Sequence, residues 1–139
     1  MKQGEVVQLE IPSSPEYVAV VRHAVEGLAQ RLQFSSIQIE DLKLAVGEAC
    51  TNAVKYGCPA DDDSHLVEIK CTVVSDGLVI EIKNNIAECK SPSVPNEPDL
   101  TREGGLGLYL MRKLMDEVDL TWDSEVATVR MLKRLNHAI

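Results

Sequence analysis

The chain reads as an α+β fold, a two-layer sandwich in which three main helices cover one face of a mixed, mostly antiparallel sheet. Three observations predict it. Alternating apolar residues occur in paired runs, 66–74 with 78–83 and 118–122 with 127–132, each pair broken by a short polar turn as in a hairpin. Three other stretches carry apolar residues at helical spacing. Helices and strands are grouped along the chain rather than strictly alternating, which favours helices on one face of an antiparallel sheet over a doubly wound one. With 139 residues, of which 45% are hydrophobic, the chain can bury one core, so we expect a single domain over residues 1–139.

The first strand is expected at Val6, Val7, Leu9 and Ile11, stopped by Pro12. Ser13 and Ser14 offer caps, Pro15 suits a first helical turn, and Tyr17, Val18, Val21, Ala24, Val25, Leu28, Ala29 and Leu32 predict a helix over 15–33. Ser35 with Gln38 three residues later forms a capping box. It opens a second helix through Ile39, Leu42, Ala45, Val46, Ala49, Cys50, Ala53 and Val54, stopped by Gly57 and Pro59. Asp61, Asp62 and Asp63 then read as a solvated connection. Ser75, Asp76 and Gly77 mark the first hairpin's turn. Residues 84–103 hold three of the six prolines and no sustained period, the character of a functional lid or a disordered loop. Gly104, Gly105 and Gly107 open a third helix carrying Leu108, Leu110, Met111, Leu114 and Met115. The second hairpin turns around Asp123, Ser124 and Glu125.

Composition excludes whole classes of function. A net charge of -8 repels a phosphate backbone, because non-specific nucleic-acid affinity comes from Lys and Arg releasing counterions. One Trp, one Phe and three Tyr are too few for base-stacking platforms. We therefore expect no direct nucleic-acid binding. No run is long and apolar enough to span a bilayer, and the N-terminus lacks the basic flank and apolar core of a signal peptide. The expected location is cytoplasmic, away from membranes. Cys50, Cys58, Cys71 and Cys89 form no C-x-x-C pair and read as reduced thiols.

Chemistry is carried by two signals. Glu48 and Asn52 are four residues apart on the second helix, hence on one face, among apolar or small neighbours where polar groups need partners. By itself such a pair is common and carries no function. Gly104-Gly105-Leu106-Gly107 at a helix entrance leaves backbone N–H groups unobstructed beside a dipole that favours anions. By itself it reads more readily as an ordinary flexible helix start. Together, with a hairpin and a long loop between them, the two signals describe one nucleotide site.

The run Glu48-Ala49-Cys50-Thr51-Asn52-Ala53-Val54-Lys55-Tyr56-Gly57 resembles the N box of the GHKL ATPase superfamily, whose fold is the Bergerat-type ATP-binding fold. Pro15 to Val18, Ile39 to Val46, Glu103 to Met111 and Leu114 to Val118 narrow the resemblance to anti-sigma-factor serine kinases of the RsbW type. These blocks keep their order over most of the chain.

The resemblance implies ATP and magnesium as ligands. Asn52 would bind magnesium between the ATP phosphates, as a neutral oxygen donor to a hard cation. Glu48 would be the general base for a serine hydroxyl. Gly104, Gly105, Leu106 and Gly107 would contact phosphates through the backbone. Residues 86–103 would form the ATP lid, with Thr101 and Arg102 at its end. It also implies a sigma factor and a STAS-type anti-anti-sigma protein as partners, with Arg22 at the partner surface, and a homodimer.

One position departs from the family pattern, which carries D-x-G after the strand at 78–83. Asn84 and Ile86 stand at its Asp and Gly positions. Asn can still accept from an adenine amine, without the charge. That departure keeps a second expectation in view, a non-catalytic partner-binding regulator of the same fold. A two-component histidine kinase domain is disfavoured, because His23, His65 and His137 read as surface or core residues rather than as a phospho-acceptor on a dimerisation helix.

Overall fold

The computed structural model describes residues 2–55, 66–85, 105–122 and 126–135. Its elements are β1 (Val6–Pro12), α1 (Val18–Arg31) preceded by a 3-10 turn at Pro15–Tyr17, α2 (Ser36–Lys55), β2 (Leu66–Val74), β3 (Gly77–Asn85), α3 (Gly105–Leu114), β4 (Glu117–Trp122) and β5 (Val126–Arg134). The strands form one five-stranded sheet in the order β1-β2-β3-β5-β4. All four ladders are antiparallel, so the mixed character allowed by the sequence is not used. β5 lies between β3 and β4, so β4, which directly follows the glycine-started helix, is an edge strand.

Period two decides which face is covered. Val67, Ile69, Cys71 and Val73 of β2, and Leu78, Ile80 and Ile82 of β3, are buried on the helix side. Cross-strand register extends this row through Met131 of β5, opposite Ile80. The helices answer with Val21 and Val25 from α1, Leu42, Val46 and Ala49 from α2, and Met111 from α3, each at most 1% exposed. These residues form one hydrophobic cluster. It is nearly all aliphatic, and burying each such side chain contributes about 1.5–3 kcal/mol.

Three local expectations are refined by the structure. The first helix begins as a 3-10 turn and ends at Arg31, short of residue 33. It stops because Gln33 adopts a left-handed φ of 65°, while the N–H groups of Phe34 and Gln33 donate to the carbonyls of Ala29 and Gln30, a Schellman ending built without glycine. The capping box forms as expected. Ser35 N–H donates to Gln38 Oε1 at 3.1 Å and Gln38 N–H to Ser35 Oγ at 3.2 Å. The first hairpin's turn is two residues, Ser75 and Asp76, since Val74 already pairs with Gly77. Gly77 instead serves close approach, because a Cβ there would lie 2.1 Å from the Lys133 carbonyl oxygen.

Polar side chains fasten the helices to the sheet. Buried Gln38 reaches across to donate to the Arg134 carbonyl at 2.9 Å. Lys133, on the helix side of β5, donates to the Leu114 carbonyl at the end of α3 and lies 3.4 Å from Asp41 of α2. Between α1 and α2, Lys43 meets Glu26 at 2.6 Å. That contact lowers the Glu26 carboxyl pKa and raises that of Lys43. Being open to water, the pair sets register more than stability.

Cys50 and Cys71 are free and buried. Burial pushes the Cys50 thiol from 9.0 up to about 12 and that of Cys71 up to about 11. Both stay protonated and unreactive at neutral pH. Since the folded values are raised, the stability tied to the neutral thiols is complete below about pH 9 and is lost as pH climbs through the folded values. With a thiol reagent at pH 8, located by peptide mass mapping, Cys50 and Cys71 are expected to label only as fast as the protein opens. Prompt labelling of either in the folded protein would contradict their burial.

Candidate functional site

Helical geometry makes the site. Glu48 and Asn52, one turn apart on α2, both turn toward the first turn of α3, where they meet Gly107. An ideal Cβ at position 107 would lie 2.8 Å from Glu48 Oε2 and 3.4 Å from Asn52 Nδ2. The glycine thus leaves room for the Glu48 carboxylate rather than serving an unusual φ. Any side chain at Gly107 would press on the carboxylate.

The electrostatics follow from which groups are committed. Glu48 and Asn52 are half-buried, yet neither side chain makes a hydrogen bond or ion pair among the described residues. Across from them, the first N–H groups of α3 have no acceptor within the helix, and the dipole there attracts negative charge. A carboxylate, a side-chain amide and a helix entrance thus face one place. That donor set suits a phosphate group with a hard cation. No cluster of three or more His, Cys, Asp or Glu side chains occurs among the described residues, so a cation here would take Asn52 from the protein and oxygens from phosphate and water.

Asn84 is 3% exposed, at the end of β3. Its Nδ2 donates to the Ala53 carbonyl at 2.9 Å. Ala53 lies in the last turn of α2, where carbonyls lack intrahelical donors, so the Asn84 amide acts as a cap supplied by the sheet. An Asp, the residue the family pattern has here, could not donate that bond while ionised. The departure from D-x-G is thereby matched to a structural partner one residue from Asn52.

Arg22 of α1 reaches over α2. A Cβ on Gly47 would lie 2.5 Å from its Nε, 2.7 Å from Nη2 and 3.0 Å from Cζ. The guanidinium rests on the glycine that directly precedes Glu48. Its charge is also felt at Cys50, where it opposes the rise in thiol pKa.

Of the residues expected from sequence, Glu48, Asn52 and Gly107 are brought together, with Gly105 and Leu106 in the same first turn of α3. Asn84 is next to that cluster through Ala53. Arg22 is on the neighbouring helix. Thr101, Arg102 and Gly104, together with Ile86 and the acidic run at 61–63, lie outside the described residues. Sequence reasoning missed Gly47 and the Ala53 carbonyl. Gly47 had a signal, since an interior helical glycine costs about 1 kcal/mol relative to Ala. A backbone carbonyl carries none.

Comparison with known proteins identifies the family. Residues 11–133 match the family model described as a histidine kinase-like ATPase domain. The serine-protein kinase RsbW of Bacillus licheniformis is 40% identical over 144 residues, covering 97% of this chain and 89% of that protein. The serine-protein kinase RsbW of Bacillus subtilis is 38% identical over 142 residues, covering 96% and 88%. Among solved structures, the RsbU and RsbW domains of a Mycobacterium tuberculosis protein superpose with a TM-score of 0.73 at 14% identity. That match covers 96% of this chain and 33% of the other, and at such identity it speaks for the fold. A near-full-length match at this identity, on a fold that brings Glu48, Asn52 and Gly107 to one place, means that the chain belongs to the histidine kinase-like ATPase family, among the RsbW-type serine-protein kinases.

Proposed function

We propose that this chain is an ATP-dependent serine-protein kinase that also acts as an anti-sigma factor, holding a sigma factor and phosphorylating a STAS-type anti-anti-sigma protein on serine. The observation that carries the reading is the meeting of Glu48 and Asn52, uncommitted among the described residues, at Gly107 in the first turn of α3. The RsbW relatives support the choice of serine as acceptor.

In this reading, ATP phosphates lie against the entrance of α3, where the backbone of Gly104, Gly105, Leu106 and Gly107 donates to them. Thr101, outside the described residues, is a further candidate for cofactor binding. Asn52 would hold magnesium, which would supply neutralisation of the phosphate charge. Glu48 accepts the proton of the incoming serine hydroxyl. The serine oxygen forms its bond to the γ-phosphorus as the bond from that phosphorus to the β-bridging oxygen breaks, and ADP leaves. Asn84 borders the base. Arg22 serves the protein partner, and the working form is a cytoplasmic homodimer.

Incubation with radiolabelled ATP, magnesium and a STAS-type antagonist tests this. Label is expected on an antagonist serine. Asn52→Ala is expected to abolish the magnesium-dependent part of ATP binding and to remove detectable transfer. Transfer persisting in Asn52→Ala would refute its role as the cation ligand. A second reading, a non-catalytic regulator that binds the same partners, is favoured by one observation, the commitment of Asn84 to Ala53. A fluorescent ATP analogue that fails to bind while the partner still does would establish that second reading.

A further inference from the structure

We propose that Gly47 is a positioning residue for partner recognition: its bare Cα seats the Arg22 guanidinium against α2, beside Glu48, and holds that cation ready for a carboxylate of the protein partner. This rests on the partner-phosphorylating reading above. It assigns the glycine a role that the phosphate site itself does not explain.

Three observations carry it. First, Gly47 is buried in the interior of a 20-residue helix, where glycine is the poorest residue after proline. Its φ is not positive, so no backbone conformation asks for glycine. Second, the space a Cβ would take is filled by Nε, Nη2 and Cζ of Arg22, at 2.5, 2.7 and 3.0 Å from that Cβ position. Cζ is farther away than either nitrogen, so the guanidinium turns its Nε–Nη2 edge into the space a side chain at position 47 would fill. Third, this guanidinium makes no hydrogen bond or ion pair among the described residues, and Arg22 is exposed to solvent. Lys43 on the same helix pair is spent on Glu26 and Glu40.

The physical consequence concerns entropy. A free arginine loses much rotamer freedom when it forms an ion pair. A guanidinium already resting on Gly47 has lost part of that freedom before the partner arrives, while the donors of Nη1, on the side away from Gly47, stay open. In a chain of net charge -8, a fixed cation singles out one place suited to an acidic group.

Displacing Arg22 is cheap for the fold, because the clashing atoms are the far end of a flexible side chain. Gly47→Ala therefore separates positioning from stability. In phosphoryl-transfer assays with a STAS-type antagonist, Gly47→Ala is expected to raise the antagonist's KM about tenfold, the size of a typical interface arginine effect, with the KM for ATP within about twofold of the parent. In an Arg22→Ala background, Gly47→Ala is expected to leave the antagonist's KM unchanged and to raise the melting temperature, since alanine is then simply the better helix residue. An unchanged KM in the single variant, or an equal rise in both backgrounds, would overturn the proposal. If the parent transfers no label, the kinase reading fails separately. The seat is then read from the nitrogen relaxation of the Arg22 Nε–H group, expected to be ordered in the parent and mobile in Gly47→Ala. Equal order in both would overturn the proposal on its own.

Discussion

Glu48→Gln is expected to slow phosphoryl transfer to serine by about 10²- to 10⁴-fold, the span associated with removing a positioned general base. Glutamine keeps the length and shape of the side chain, so the packing of position 48 on Gly107 survives. What it loses is the ability to take a proton. It also removes a negative charge from the place proposed for the phosphates, so ATP affinity is expected to hold or to rise slightly. Single-turnover rates measured beside nucleotide titrations separate the two effects. A drop in rate with affinity retained corresponds to about 3–5 kcal/mol of lost transition-state stabilisation. A rate equal to the parent's would remove Glu48 from the mechanism.

Such a prediction was legible because the chemistry is written at fixed spacings. Glu48 and Asn52 share a face by helical period alone, and a glycine cluster before Leu108, Leu110 and Met111 announces a helix start. Alternation along 66–83 fixed which side chains enter the core, and the Ser35–Gln38 box placed the start of α2 to within a residue. What stayed hidden depends on approach between distant segments. Gly77 looked like a turn residue because glycine usually serves φ, yet its role is to let the Lys133 carbonyl come close. Gln33 ends α1 in a left-handed conformation that glycine or asparagine would have advertised. Arg22 and Gly47 are 25 positions apart in the chain, and only the packing of α1 on α2 shows that one fills the other's empty side.

Asn84 shows the same limit from the other direction, and it leads to the second large effect. Compared with the family pattern alone, Asn84 looks like a weakened adenine contact that Asp would repair. The structure reverses that expectation for stability. Asn84→Asp is expected to destabilise the fold by about 2–4 kcal/mol at pH 7, combining a lost donor at a buried carbonyl with the burial of a charge. The new carboxylate would also face the negative end of the α2 dipole. For a chain of this size the melting temperature should fall by on the order of 10 °C.

The pH dependence gives the mechanism away. All three influences disfavour the ionised form, so the folded-state carboxyl pKa is raised above its unfolded value. The penalty is then present at neutral pH and shrinks as pH falls toward the unfolded value, because the protonated acid can again donate to Ala53. Asn84→Leu removes the donor without adding a titrating group, so its deficit should not vary with pH. A variant with Asp at position 84 that is as stable as the parent at pH 7, or that loses stability equally at all pH values, would show that the bond to Ala53 does not hold the end of α2 in place.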